Sequence, residues 1–208
     1  MGKTLYLMRH GETLFNLTNR TQGWCDSPLT ERGQEQARNA ARVMREKGFE
    51  FDHFYCSTQE RASDTLELVM RELYGELRPY ERLKGIKESF YGQYEAAPLP
   101  ILIREFERDR DAFVWCGGEP YEQMQDRMES TLTEVMSRPG HENVLAVAHM
   151  RCSLSFVERV VGEDVVGNEL TNCAILRFDW DPEKGFTFRD ITQTGGTGIM
   201  TLEEALGE

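Results

Sequence analysis

The sequence predicts an α/β fold, a three-layer sandwich with a mainly parallel central sheet and helices on both faces. Three observations predict it. Short apolar runs alternate with longer stretches of helical periodicity from the amino terminus to about residue 160. The candidates "TLYLM" and "NVLAVA" read as buried strands, as in a parallel sheet covered by helices on both faces. The chain of 208 residues is long enough for one core, so one domain is expected over 1–208.

The elements follow in order. "TLYLM" (4 to 8) is a first strand, and "LTERGQEQARNAARVMREKG" places Ala37, Ala40, Ala41 and Met44 at helical spacing before Gly48 stops it. "FEFDHFYCS" is a second strand. Ser57 and Glu60 then form an S-x-x-E capping box for a helix with Ala62, Leu66, Val69, Met70 and Leu73 on one stripe. From 79 to 120, Pro79, Pro98, Pro100, Pro120, Gly92 and the pair Gly117-Gly118 predict long loops and one short helix around "ILIREFERDRDAF". A helix from Glu119 to Met136 carries Tyr121, Met124, Met128, Leu132 and Val135 on one side. "NVLAVA" (143 to 148) is a buried strand, a helix follows from about 151 to 161, and "CAILRFDW" and "GFTFRDI" are two closing strands. The tail from about 195 to 208 is expected to be loosely held.

Composition narrows the function. Hydrophobic residues at 39% and charged residues at 29% are the balance of a soluble globular protein. No apolar run approaches the roughly 20 residues of a membrane-spanning helix, and no signal-peptide pattern opens the chain, so a cytoplasmic protein without a membrane partner is expected. Thirty-six acidic residues against 24 basic ones give a net charge of −12, which argues against nucleic acid. Five scattered cysteines without a C-x-x-C pair predict free, mostly buried thiols and no zinc ribbon. His53 and His141 are expected in ordinary structural or solvated positions, and the tryptophans in packing, with Trp24 near enough to Gly23 to line a site.

Ligands of parallel sheets bind beyond the carboxyl ends of the strands. Arg9-His10 ends the first strand and His149 follows "NVLAVA", so two histidines are expected at one rim. Arg61 joins them from the first turn of the helix after Ser57, where a helix amino terminus favours an anion. Two guanidinium forks, two imidazoles and that helix end predict a phosphate pocket. An unprotonated His10 could attack phosphorus, giving a phosphohistidine, and Glu88 is the candidate to protonate the leaving alkoxide.

"LMRHGET", Asn16, Arg20, "GW.DSPLTERG", "S....RA..T" with Ser57, Arg61, Ala62 and Thr65, Glu88 before "FYG", "GGE" and "AVAHM" together resemble the histidine phosphatase superfamily, which includes the cofactor-dependent phosphoglycerate mutases. The resemblance runs in order from residue 5 to about 155. It implies a phosphoglycerate mutase-like fold, His10 as phosphate acceptor, and Arg9, Arg61 and His149 around it. It further implies Glu88 as acid and then base, Asn16 touching the phosphoryl group, the Gly23 backbone touching substrate, and Arg20 as an accessory cation. It implies no metal and no organic cofactor, and a small phosphorylated metabolite as partner.

The chain departs from the family pattern after His149, where two small residues are usual and Met150-Arg151-Cys152 stand instead, predicting a bulkier pocket wall at Met150. Gly92-Gln93-Tyr94-Glu95-Ala96 replaces the family's usual G-x-W-E-G, and the stretch 88–120 is expected to cover the substrate. The reading is a phosphatase of small phosphate monoesters. A phosphoglycerate mutase-type phosphotransferase is the alternative, and a silent phosphate-binding module the third. The short segment between Glu88 and Glu119 favours water as acceptor.

Overall fold

The computed structural model describes residues 2–163, 165–166 and 170–195. Its six strands are β1 (Lys3–Arg9), β2 (His53–Ser57), β3 (Glu81–Leu83), β4 (Asn143–Ala148), β5 (Ile175–Asp181) and β6 (Gly185–Thr192), in the sheet order β3-β2-β4-β1-β5-β6. β1, β2, β3 and β4 pair in parallel, while β5 runs antiparallel to β1 and β6 antiparallel to β5. The sheet is therefore mainly parallel with an antiparallel hairpin at one edge.

Period-2 alternation within the strands sorts two cores. Leu5 and Leu7 of β1 and Val144, Ala146 and Ala148 of β4 face helices α5 (Tyr121–Ser137) and α6 (Met150–Val161). Tyr6, Met8, Leu145 and Val147 face α2 (Glu31–Glu46) and α3 (Glu60–Tyr74). The remaining α-helices among the described residues are the single turn α1 (Leu14–Leu17) and α4 (Leu99–Arg108). Chain leaving β1 crosses one face through α2, and chain leaving β4 crosses the other through α6. The carboxyl ends of the neighbours β1 and β4 thus form the switch point where such sheets take ligands.

Three expectations are adjusted. β3, three residues long, lies in the stretch read as loop, because a strand that short carries no alternation to detect. The Ser57–Glu60 capping box does not form: Gln59 is the N-cap of α3 and has no side-chain cap bond. Ser57 Oγ instead bonds Gln59, and Asp26 accepts the Glu60 N–H from across the chain. The short helix expected around 101 to 113 begins two residues earlier and ends at Arg108. With Tyr91, Phe113 and Cys116, Leu102 of α4 makes a third, smaller core above the sheet. The tail beyond Gly195 lies outside the described residues.

Candidate active site

His10 is fixed from three directions. Its backbone N–H donates to Ala148 O at 3.1 Å, tying the end of β1 to the end of β4, and its carbonyl accepts from Cys173 N and Asn172 Nδ2. The next residue packs tightly: Gly11 N–H donates to Thr65 Oγ1, and a Cβ on Gly11 would stand 2.5 Å from Gly33 O. Only a glycine allows the loop to approach the first turn of α2 so closely.

The two histidines meet, with ring centroids 5.2 Å apart. Their hydrogen bonds assign opposite tautomers. His10 Nδ1 lies 2.7 Å from Gly11 O, an acceptor only, so Nδ1 carries the proton and Nε2 keeps its lone pair. His149 Nδ1 accepts from Arg61 Nε at 3.1 Å, so its proton sits on Nε2. That Nε2 is buried with no partner among the described residues. Burial first, then the positive charges of Arg61 and neighbouring groups, holds both histidines well below the usual imidazole range, so both are neutral at neutral pH.

Arg9 donates through Nη1 to Leu170 O, and its Nε is buried without a partner among the described residues. Burial pulls it down to about 10, still cationic near neutrality, with Glu88 opposing the shift. Arg61 differs from the expectation of a second open fork. Its guanidinium donates to His149 Nδ1, Cys25 O, Asp26 Oδ1, Gln22 O and Gly23 O, so all five N–H donors are engaged within the protein. The expected helix end is also occupied, since Asp26 takes the first N–H of α3.

Glu88 is buried, and its carboxylate sits on the amino terminus of α6. Oε1 accepts from Ser89 N and Cys152 N, and among the described residues Oε2 accepts from Arg151 N alone. Its loop is clamped by Trp24 and by two residues that the sequence did not single out, Gln59 and Arg127. Gln59 Oε1 accepts Glu88 N–H, Trp24 Nε1 donates to Glu88 O, and Arg127 of α5 donates to the carbonyls of Gly85, Lys87 and Glu88 while pairing with Glu119. Arg127 lies inside an ordinary amphipathic helix, so no spacing signal could have singled it out.

Arg9, His10, Asn16, Arg20, Glu88 and Met150 all line one cavity of about 480 Å³. Arg61 and His149 lie buried behind it. Asn16 Oδ1 accepts the Thr13 N–H as part of a capping box on α1, and Arg20 donates to Ala96 O at the rim. Gly23 does not line the cavity: its carbonyl serves Arg61 and Gln59, and a Cβ there would meet Glu95, Ser89 and Tyr91. α4 supplies an apolar wall through Leu99, Leu102, Ile103 and Phe106, which the sequence reading located only as a short helix. Trp24 packs at a tilt against Phe90 and lies under Lys87, and His53 and His141 stack on one another away from the cavity. All five cysteines are free. Among the described residues no group of three or more histidine, cysteine, aspartate or glutamate side chains is gathered to hold a metal ion, and no helix is long and apolar enough to cross a membrane.

Two buried neutral imidazoles, an arginine and a carboxylate are thus gathered at the strand-end switch point of a mainly parallel sheet, on a phosphoglycerate mutase-like fold. The family model of the histidine phosphatase superfamily (branch 1) matches residues 5–193, and the chain belongs to that family. An adenosylcobalamin/alpha-ribazole phosphatase of Escherichia coli (strain K12) is 30% identical over 169 residues, covering 76% of this chain and 79% of that protein. Among solved structures, phosphoglycerate mutase from Bacillus anthracis str. Sterne superposes with a TM-score of 0.80 at 24% identity, over 100% of this chain and 97% of that one. The alpha-ribazole phosphatase from Shigella flexneri gives 0.70 at 26% identity, over 95% and 100%.

Proposed function

We propose that this protein hydrolyses small phosphate monoesters through a phosphohistidine on His10. The observation that carries the reading is the opposed tautomers of two buried, neutral histidines, one offering a lone pair and the other an unpartnered N–H. His10 Nε2 attacks phosphorus in line as the ester P–O bond breaks. His149 Nε2–H, Arg9 and Asn16 stabilise the charge on the transferring oxygens. Glu88, in its protonated form, gives its proton to the departing alkoxide, and Oε2, with a single N–H partner, is the oxygen with room to carry it. The resulting carboxylate then takes a proton from water as that water attacks the phosphohistidine, releasing phosphate and free His10. Arg61 acts by holding the His149 tautomer. Residues 1–208 form one domain in this reading, with the 88–120 segment covering a small phosphorylated metabolite in the cytoplasm, and Arg20 and Met150 on the substrate side of the cavity.

The test is a time course with 3-phosphoglycerate and a trace of 2,3-bisphosphoglycerate, beside a panel of phosphate monoesters, following free phosphate and isomerised product together. Phosphate release without isomerisation, lost in His10→Ala, is expected. Rapid isomerisation with little phosphate release would make the protein a mutase, and an unchanged rate in His10→Ala would remove the phosphohistidine.

A further inference from the structure

Arg151 stands in the cavity wall, and its guanidinium meets no acceptor among the described residues. It lines the same cavity as His10, and its Nε is buried with no hydrogen-bond partner among the described residues. The face of the guanidinium lies on the Phe106 ring, 3.3 Å from its centroid, with Tyr121 at 5.1 Å. A ring face compensates the charge but offers nothing to the N–H edge, whose natural partner is a planar carboxylate taken two bonds at a time. None of the carboxylates that also line the cavity serves: Glu88 is bound to three backbone N–H groups, and Glu107 is exposed at the rim. Burial lowers Arg151 from its ordinary value, yet an arginine remains charged at neutral pH. Beside it, Leu102, Ile103 and Leu154 give the cavity an apolar shelf that suits a carbon skeleton.

We infer that Arg151 is a specificity-determining residue, and that the alcohol portion of the preferred phosphate monoester carries a carboxylate which Arg151 binds. The inference rests on the proposed phosphatase reading. Phosphate would sit at Arg9 and His10, the carbon body on the α4 shelf, and the carboxylate on the free edge of Arg151. A neutral alcohol would leave the guanidinium edge unpaired.

The experiment compares 3- and 4-carboxyphenyl phosphate with the matching carbamoylphenyl phosphates, whose neutral amides have nearly the same shape and make better leaving groups. For the wild-type protein, kcat/KM of at least one carboxylate is expected to exceed that of its amide by about tenfold or more, mainly through KM. In Arg151→Met the ratio falls to about one or below, whatever the absolute rates, and Arg151→Lys restores part of it. A wild-type ratio of one or less, or a preference that survives in Arg151→Met, overturns the inference. Calorimetric binding of 4-carboxybenzylphosphonate against benzylphosphonate reads the same contact without turnover. If no ester is hydrolysed the phosphatase reading fails on its own, while equal affinity for the two phosphonates would remove the role of Arg151.

Discussion

At the scale of single residues, the site depends on which nitrogen of each imidazole holds the proton. Gly11 O sets one tautomer and Arg61 Nε the other. Replacing Arg61 with lysine removes the planar fork that reaches His149 and four further acceptors at once, so kcat should fall on the order of 10²- to 10⁴-fold, the scale of a wrong tautomer. A loss of less than about threefold would show that His149 needs no such orientation. Because burial and the neighbouring arginines lower both histidines, the carbon-bound ring protons of His10 and His149 should keep their neutral NMR positions from about pH 8 down through 6.5, where an ordinary imidazole titrates. A midpoint near 6.5 for either, assigned with His10→Ala and His149→Ala, would contradict this.

At the scale of elements, the loops of the candidate site are seated by close backbone approach and by one buried ion pair. A Cβ on Gly33 would stand 2.0 Å from Glu12 O, and the neighbouring Thr30 N–H donates to the same carbonyl, so neither α2 nor the loop can yield freely. Gly33→Ala should cost about 1–3 kcal/mol in urea unfolding and lower kcat by displacing His10. Arg127→Met leaves the buried Glu119 carboxylate unpaired and frees three carbonyls of the Glu88 loop, an expected loss of about 3–5 kcal/mol. Adding Glu119→Gln to that variant should recover part of the stability and little of kcat, because the loop stays unclamped. Full recovery of kcat would limit Arg127 to a structural role.

At the scale of the whole molecule, two buried neutral histidines couple stability to acid. Their folded values lie below the unfolded value near 6.5, so as pH falls through that point the unfolded chain takes up protons that the fold does not. Stability from this source is complete above about pH 6.5 and is lost below it, by at most about 1.4 kcal/mol per pH unit for each histidine. Urea midpoints at about pH 7.5 and 5.5 should differ in this direction, and His149→Gln should flatten the slope. A wild-type midpoint that stayed level would show that the buried histidines accept protons without loss.

The chain by itself determined the layers and most of the site. Apolar runs and period-3.6 patterns are local, so the buried strand through Leu5, Tyr6, Leu7 and Met8, and the helices that cover it, could be read directly. So could the meeting of His10 with His149, because strand ends in a parallel sheet share one rim. Only the tertiary structure decided which groups each polar side chain would meet. It turned Arg61 inward onto His149 and Asp26, replaced the Ser57 cap with Asp26, put Glu88 on the α6 amino terminus, clamped its loop with Arg127, and left the edge of Arg151 open beside Phe106. Those contacts join residues far apart in sequence, and a hydrogen bond depends on distance and angle that no periodicity encodes.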